Sequence, residues 1–416
     1  MSTTQKKTHY GWVVMGCCCV IMFSTVGIIP NCMTVFLAGA NAGTGIDMVS
    51  LSLYFTFVTL TIAVCQPVSR LLFEKYNARL VTAFFAALPG IGTALMALYN
   101  KPVYFWISGI INGFGLSLIT FILVPTLMNK WFVTRIGFVM GVCMAFSNIG
   151  GAIWAPIAGN LVVNMGWRTT VVIMGVLSIL ISCPIALIGI RRDPSDKGLQ
   201  PYGIDTIQKE KGGQKVELSG DTLKESLGRP WIYMIFIIAA GLFFIANFQP
   251  QITQYAVSIG FPINKGAAVS SMLMIGSIIG KVALGAINDK AGLGVSVTAG
   301  IICGIIGSVL LITSGGAAMM VFVGAMLFGI AFALMSIALS LYVRKVAGAK
   351  HFGSVYSVVS SVGNVASAVS GPIYGAIYEA TGSYVTSLIT CVVFMTLVLI
   401  LTWVIIAGTK NLWKNA

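Results

Sequence analysis

The stretch SIIGKVALGAINDKAG, which opens at Ser277, places a single lysine inside an apolar run. Lys281 lies eight residues before the next acidic residue, Asp289. In a helix that rises ~1.5 Å per residue, this separation is about 12 Å. A charge in apolar surroundings is costly unless it is paired, and a buried ammonium can pair with an anion. Lys281 is therefore the leading candidate for binding chemistry, and the chemistry it favours is recognition of an anionic group.

The rest of the chain indicates a membrane protein. Of its 416 residues, 57% are hydrophobic and 9% are charged, whereas a soluble domain averages about 25% charged residues. The mean hydropathy is +0.94. Twelve runs, from residues 10–37 to residues 384–407, are long enough to cross ~30 Å of hydrocarbon as helices. We expect an all-α membrane protein with twelve transmembrane helices, and water-soluble classes are excluded.

No acidic residue is predicted deep in a span, so Lys281 has no evident partner within the membrane. The eleven acidic residues are Asp47, Glu74, Asp193, Asp196, Asp205, Glu210, Glu217, Asp221, Glu225, Asp289 and Glu379. A bound anion would supply the missing charge, and one fixed cation suits one carboxylate better than two. The alternative is a structural lysine that reaches the membrane interface, although its stem covers only part of that depth.

The chain repeats itself, which predicts two six-helix bundles. The segment from Ile136 superposes on that from Phe352 with an offset of 216, so that Asn148 matches Asn364; FEKYN at 73–77 matches NDKAG at 288–292 with an offset of 215. We expect an N-terminal bundle over 1–190, a polar cytoplasmic linker over 191–229 with a short helix near its end, and a C-terminal bundle over 230–416. In transporters built from repeats, the substrate site lies between them near the membrane midplane.

The charge pattern predicts the orientation. Most of the 25 basic residues fall on the side of the termini, and the opposite side has only Lys101, Arg168 and Lys265. Because loops rich in Lys and Arg stay in the cytoplasm, we expect both termini there, in a plasma or inner membrane. The net charge of +14 is interpreted in this way, with the lipid bilayer and not nucleic acid as the partner.

At these residues the chain resembles the major facilitator superfamily. RLLFEKYNAR after the second span looks like the family's cytoplasmic loop, and INDKAG looks like its copy in the second half. Within the superfamily, KWFVTRIGFVMGV (130–142), RRDPSDKGLQPYG (191–203) and the basic residue in span eight are similar to the monocarboxylate transporter and oxalate:formate antiporter branch. The resemblance implies that Lys281 occupies the position of an arginine that binds substrate carboxylate.

Two departures from that branch are visible. The antiporter pattern has a second basic residue in span eleven, which here has neither Lys nor Arg. The proton-coupled pattern has an aspartate one turn before the basic residue of span eight, where this chain has Ser277.

Further polar residues of spans one, four, seven, eight, ten and eleven are candidates to line the path, although each could instead join helices to one another. Asn31 and Gln251 follow Pro30 and Pro250, which we expect to interrupt their spans in equivalent places. The candidate substrate-binding residues are Lys281, Asn31, Asn112, Thr120, Gln249, Gln251, Ser277, Ser336, Tyr356, Ser360 and Asn364. The candidate gating residues, which could also be topology signals alone, are Arg70, Glu74, Lys75, Arg79, Asp289 and Lys290.

These observations predict a secondary active transporter of small organic anions, such as lactate-like or formate-like monocarboxylates, that works by alternating access. Exchange for a counter-anion and symport with a proton both stay open. A multidrug or hydrophobic-compound exporter of the same fold is the main alternative, and a non-transporting membrane sensor is a remote one. The nine cysteines lie in apolar runs without metal-ligand spacing, and no nucleophile–base arrangement is visible. We expect no enzyme activity, cofactor or metal, and a monomer.

Overall fold

The computed structural model describes residues 9–204 and 220–409, and within them it has twelve helices long and apolar enough to cross a membrane. The first six are α1 (Tyr10–Thr44), α2 (Met48–Lys75), α3 (Ala78–Leu98), α4 (Pro102–Trp131), α5 (Ile136–Met165) and α6 (Trp167–Gly189). The second six are α7 (Pro230–Ser258), α8 (Ile263–Ala291), α9 (Leu293–Thr313), α10 (Ala318–Ala347), α11 (Phe352–Thr381) and α12 (Val385–Gly408). The predicted fold class is confirmed.

Four spans depart from regular α-helix near their middles. A π-helical turn spans Met22–Val26 in α1, and another spans Ile119–Leu123 in α4. The helix α7 is interrupted by a 3₁₀ turn over Gln249–Gln251, and α10 has a turn at Ala333. Such turns are frequent at functional sites and hinges of helices.

The two prolines expected to interrupt their spans differ in effect. Pro250 lies in the 3₁₀ turn of α7, as predicted. The helix continues through Pro30, so the predicted interruption there was wrong. Proline removes one N–H and crowds the carbonyl four residues before it, which for Pro30 is that of Val26. The π turn that ends at Val26 absorbs this irregularity, and α1 stays helical.

The described parts of the linker dock on the end of the molecule at which α1 begins and α12 ends, which we call the linker face. Its first part lies against the N-terminal half, where the backbone N–H of Tyr202 donates to the Trp131 carbonyl over 2.8 Å. Asp193 forms ion pairs with Lys130 at 2.7 Å and with Arg192 at 2.9 Å. Burial alone would raise the pKa of the Asp193 carboxyl, but the two cations, Lys130 foremost, hold that pKa below its ordinary value.

The last part of the linker lies against the C-terminal half. The backbone N–H of Asp221 donates to the Ala347 carbonyl over 2.8 Å, and Thr222 caps the predicted short helix, Leu223–Leu227. Residues 205–219 of the linker lie outside the described residues. Each half therefore holds one end of the linker at the same face of the molecule.

Candidate functional site at the seam between the halves

The halves meet through helix backbones in direct contact. A Cβ added to Gly141 of α5 would lie 2.0 Å from the carbonyl oxygen of Lys281 in α8, and one added to Gly137 would lie 2.4 Å from that of Gly285. Only glycine permits such an approach, because any side chain would push the helices apart. We call the contact of α5 with α8, together with the repeat-related contact of α2 with α11, the seam.

Lys281 lies in this seam with only 5% of its surface exposed. Its Nζ donates to the Met144 carbonyl and to Asn148 Oδ1, each over 3.1 Å, and both acceptors belong to α5 of the opposite half. Asn148 is oriented by a second bond, in which its Nδ2 donates to Ser277 Oγ over 2.9 Å. Among the described residues no carboxylate forms an ion pair with Lys281. An ammonium has three N–H donors, so one is left for a ligand.

The polar network around Lys281 extends to the first span. Asn31 Nδ2 donates to the Ser147 carbonyl over 2.8 Å, and Ser147 Oγ lies 3.3 Å from Asn148 Oδ1. The predicted residues Asn31, Ser277 and Lys281 are thus brought together by α5. The residue that joins them, Asn148, was not among the predicted site residues. Its match to Asn364 in the repeat was the available signal.

The other side of the seam repeats this arrangement without the charge. Gln66 of α2 stands 215 positions before Lys281, the offset of the repeated loops, and it is fully buried. Its Oε1 lies 3.0 Å from Ser360 Oγ and 3.2 Å from Ser361 Oγ on α11. Ser360 is in turn the repeat equivalent of Met144, whose carbonyl holds the lysine. The two helix contacts of the seam therefore have the same architecture but differ in charge. Gln66 was not among the residues predicted from the sequence.

Other predicted residues on α11 and α10 lie close to the seam or within their own helices. The Tyr356 ring stacks on Phe352 with centroids 5.2 Å apart, and its buried hydroxyl has no hydrogen-bond partner in the described part of the chain. Asn364 Nδ2 donates to the Ser360 carbonyl over 2.9 Å. Ser336 Oγ donates to the Ala333 carbonyl at the turn of α10, over 3.0 Å.

The predicted residues of α4 and α7 lie elsewhere. Asn112 is buried inside the N-terminal half, where its Nδ2 donates to Tyr54 Oη over 2.8 Å and to Thr93 Oγ1 over 3.2 Å. Thr120 is half-buried in the π turn of α4, and Gln249 and Gln251 are half-buried in the 3₁₀ turn of α7.

Asp289 connects the halves at the linker face. Its Oδ1 accepts from the backbone N–H of Gly137 and its Oδ2 from that of Phe138, each over 2.8 Å. A carboxylate at a helix N-terminus complements the free N–H groups and the helix dipole. This cap on α5 closes the seam from the side of α8.

The repeat-related contact places Glu74 near the start of α11. Glu74 forms an ion pair with Arg70, and its carbonyl accepts from Arg192 of the linker. Gly353, the equivalent of Gly137, lies against the pair: an added Cβ would be 3.2 Å from Arg70 Nε. Both acidic loop residues therefore lie at helix starts of the opposite half.

The other three predicted gating residues form no hydrogen bond or ion pair with the opposite half in the described structure. The Lys75 ammonium lies 5.7 Å from the centroid of the Tyr76 ring. Arg79 lines a cleft of about 270 Å³ with Arg191 and Arg192 on the linker face, and Lys290 is exposed at the end of α8.

Burial along the seam helices changes at mid-depth. From Ile136 to Gly151, α5 has no exposed residue, whereas most of its last residues are exposed or half-buried. The pattern recurs in α11, where exposure begins at Val365. The equivalent glycines Gly159 and Gly375 have no atom within 4 Å of an added Cβ. The halves are in contact towards the linker face and separate towards the opposite one.

Two six-helix halves that touch on one side of a mid-depth polar site and part on the other define a membrane transporter. The chain belongs to the Major Facilitator Superfamily, whose pattern it matches over residues 12–372. The predicted family is thereby confirmed.

The individual proteins and structures that the chain resembles share less than a quarter of its residues. The chain is 23% identical to Monocarboxylate transporter 12 of Xenopus laevis over 69% of its own length and 64% of the relative's, so it spans a little under two thirds of that protein. It is 23% identical to human Monocarboxylate transporter 1 over 92% of its own length and 82% of the relative's. The solved structure of FucP in the outward conformation superposes with a TM-score of 0.70 at 14% identity and covers 95% of this chain and 99% of FucP.

Proposed function

We propose that the protein carries small organic monocarboxylates across the membrane by alternating access, with Lys281 pairing the substrate carboxylate. The observation that carries the proposal is the bonding of Lys281. A buried cation bridges the halves through two neutral oxygens, at 3.1 Å each, with one donor unused. The names of the relatives, monocarboxylate transporters 12 and 1, support the same substrate class.

The carboxylate would bind at the free N–H of Lys281 and supply the charge that the seam lacks. A charge-assisted hydrogen bond contributes about 1.5–3 kcal/mol. Because Gln66 occupies the repeat-equivalent position without a charge, the site offers one cation, which favours monocarboxylates over dicarboxylates. Ser277 and Asn148 would orient the ammonium, and neither can carry a proton through its own ionisation.

The linker face would close the path on the cytoplasmic side. The basic bias of that face supports this orientation, since positive loops stay in the cytoplasm. Release to that side would require the Asp289 cap and the glycine contacts of the seam to separate while the opposite face closes. Exchange for a counter-anion and symport with a proton both fit this cycle.

The test is counterflow in proteoliposomes with labelled formate, lactate and oxalate. Replacement of Lys281 by glutamine removes the charge and should weaken monocarboxylate affinity by about ten- to a hundredfold. Lys281→Arg keeps the charge and should retain part of the activity. Lys290→Gln removes an exposed lysine of the same helix and is the matched control. Wild-type uptake by Lys281→Gln would leave the lysine structural and favour export of neutral apolar compounds.

A further inference from the structure

A second cation lies between the halves, beside the seam and nearer the linker face than Lys281. Arg344 of α10 is half-buried, and its Nη1 donates to Oδ1 of Asn129 at the end of α4. Asn129 is 4% exposed, and its Nδ2 donates to the Pro125 carbonyl over 2.8 Å, which fixes the amide with its oxygen towards the arginine.

Arg344 and Asn129 are repeat equivalents of each other, because they are 215 positions apart. Two equivalent residues that touch must lie near the pseudo-two-fold axis, which is also where a path between the halves must run. The pair therefore joins the halves close to the axis, through α4 and α10, at the depth where the seam is closed.

The position of Arg344 along the path follows from its helix. One turn before it, Ser340 Oγ lies 3.3 Å from the sulfur of Met140, and Met140 precedes Met144 by one turn of α5. At ~1.5 Å per residue, Arg344 lies about 12 Å nearer the linker face than the carbonyl that holds Lys281. The two cations thus lie one after the other between the halves, at different depths.

The Arg344 guanidinium has N–H donors that are not used in the described structure. It carries five N–H groups, and among the described residues its hydrogen bond is to one neutral amide oxygen, with no carboxylate in an ion pair. Both carboxylate oxygens of nearby Asp289 accept from the backbone of α5. When the halves part at the linker face, Arg344 must lose Asn129, because the two belong to opposite halves. A planar guanidinium left in an opened path matches a carboxylate in shape and charge.

We propose that Arg344 is a second binding station for the carried carboxylate, occupied between Lys281 and the linker face when that face opens. The proposal rests on the proposed function, since it assumes that an anion passes Lys281. It predicts an asymmetry. Arg344 faces the substrate only when the linker face is open, whereas Lys281 serves substrate from both faces.

The experiment measures half-saturation by lactate separately from each face, in proteoliposomes whose orientation is established by access to an epitope tag at the carboxyl terminus. Arg344→Gln should raise half-saturation from the linker face by about ten- to a hundredfold and leave that from the opposite face near the wild-type value. Arg344→Lys keeps the charge but loses the planar guanidinium. Its half-saturation from the linker face should lie between the values of the wild type and of Arg344→Gln. The control is Lys350→Gln, which removes an exposed lysine of the linker face.

A second variant covers the case in which Arg344→Gln fails to fold. Asn129→Ala keeps the arginine and removes only the partner that it holds while the linker face is closed, so half-saturation from the linker face should not rise. A rise as large as that expected for Arg344→Gln would overturn the inference. Equal changes from both faces, or a change in maximal rate alone, would show that Arg344 only latches the halves. If Lys281→Gln binds normally from both faces, the proposed function itself fails. If Lys281→Gln loses lactate affinity but the Arg344 variants change half-saturation equally from both faces, only the inference about Arg344 is overturned.

Discussion

Replacement of Asn148 by aspartate tests whether the missing charge at Lys281 is what a substrate supplies. The substituted carboxylate would stand where Asn148 Oδ1 now accepts from Lys281 Nζ, at 3.1 Å. It would be a permanent counter-ion bound to the protein. We expect the ammonium to pair with it, so that an entering carboxylate would have to compete with an anion already in contact.

The expected magnitude follows from that distance. At 3.1 Å and an effective dielectric constant of about 20, two unit charges attract by roughly 5 kcal/mol, which is an upper bound for the competition. The net value of a charged hydrogen bond is about 1.5–3 kcal/mol. Equilibrium affinity for lactate should therefore fall by at least about tenfold.

The assay is equilibrium binding of labelled lactate to purified protein, and Asn364→Asp is the matched control. Asn364 is the repeat equivalent of Asn148, but its amide bonds the Ser360 carbonyl beside the neutral Gln66. The control introduces the same carboxylate at an equivalent position without a lysine. Wild-type affinity in Asn148→Asp, or equal losses in both variants, would refute the reasoning.

Three further predictions concern the closed face. Asp289→Asn removes the charged cap on α5 and should slow counterflow while equilibrium lactate affinity changes by less than about tenfold; a larger change in affinity would make Asp289 part of the site. Gly141→Ala places a Cβ 2.0 Å from the Lys281 carbonyl and should hold the linker face apart, as measured by spin-label distances between the halves, whereas Gly159→Ala, with open space around it, should behave as wild type. Asp193→Asn removes the carboxylate that pairs with Lys130 and Arg192. Because these pairs lower the carboxyl pKa, they stabilise the fold above about pH 4, and the variant should lose about 0.2–1 kcal/mol of folding free energy at pH 7. That difference should shrink on acidification through the lowered pKa, and a thermal-unfolding difference that is constant down to pH 3 would contradict the assignment.

The helical architecture could be predicted because a bilayer leaves few alternatives. Long apolar runs must be helices in lipid. The offset of 215–216 between the halves identifies which positions of one half are equivalent to those of the other. Lys281 could be recognised from its own apolar neighbours. The irregularity near Pro30 could not be placed, because sequence does not reveal whether a helix breaks at a proline or absorbs it one turn earlier.

The partners of the predicted residues depended on tertiary structure. Asn148 was visible only as a repeat match, and its bond to Lys281 exists because α5 and α8 cross at glycines. Arg344 was interpreted as part of the basic bias, since a helix-end arginine usually marks topology. Its partner, Asn129, lies in the other half and becomes evident only when the axis is known. Polar residues inside spans give no signal of their own to separate path-lining positions from helix contacts, as the surroundings of Asn112 show.

The equivalence of Gln66 and Lys281 bears on how such a chain can diverge. Two equivalent positions of one chain can differ from each other, as Gln66 and Lys281 do. The glutamine now keeps the contact of α2 with α11 polar but uncharged, while the lysine puts charge into the contact of α5 with α8. Under the proposed function, the first copy of the position only joins helices, whereas the second also recognises the ligand. A substitution at Lys281 would then change what is carried, while the equivalent residue Gln66 keeps the contact of α2 with α11.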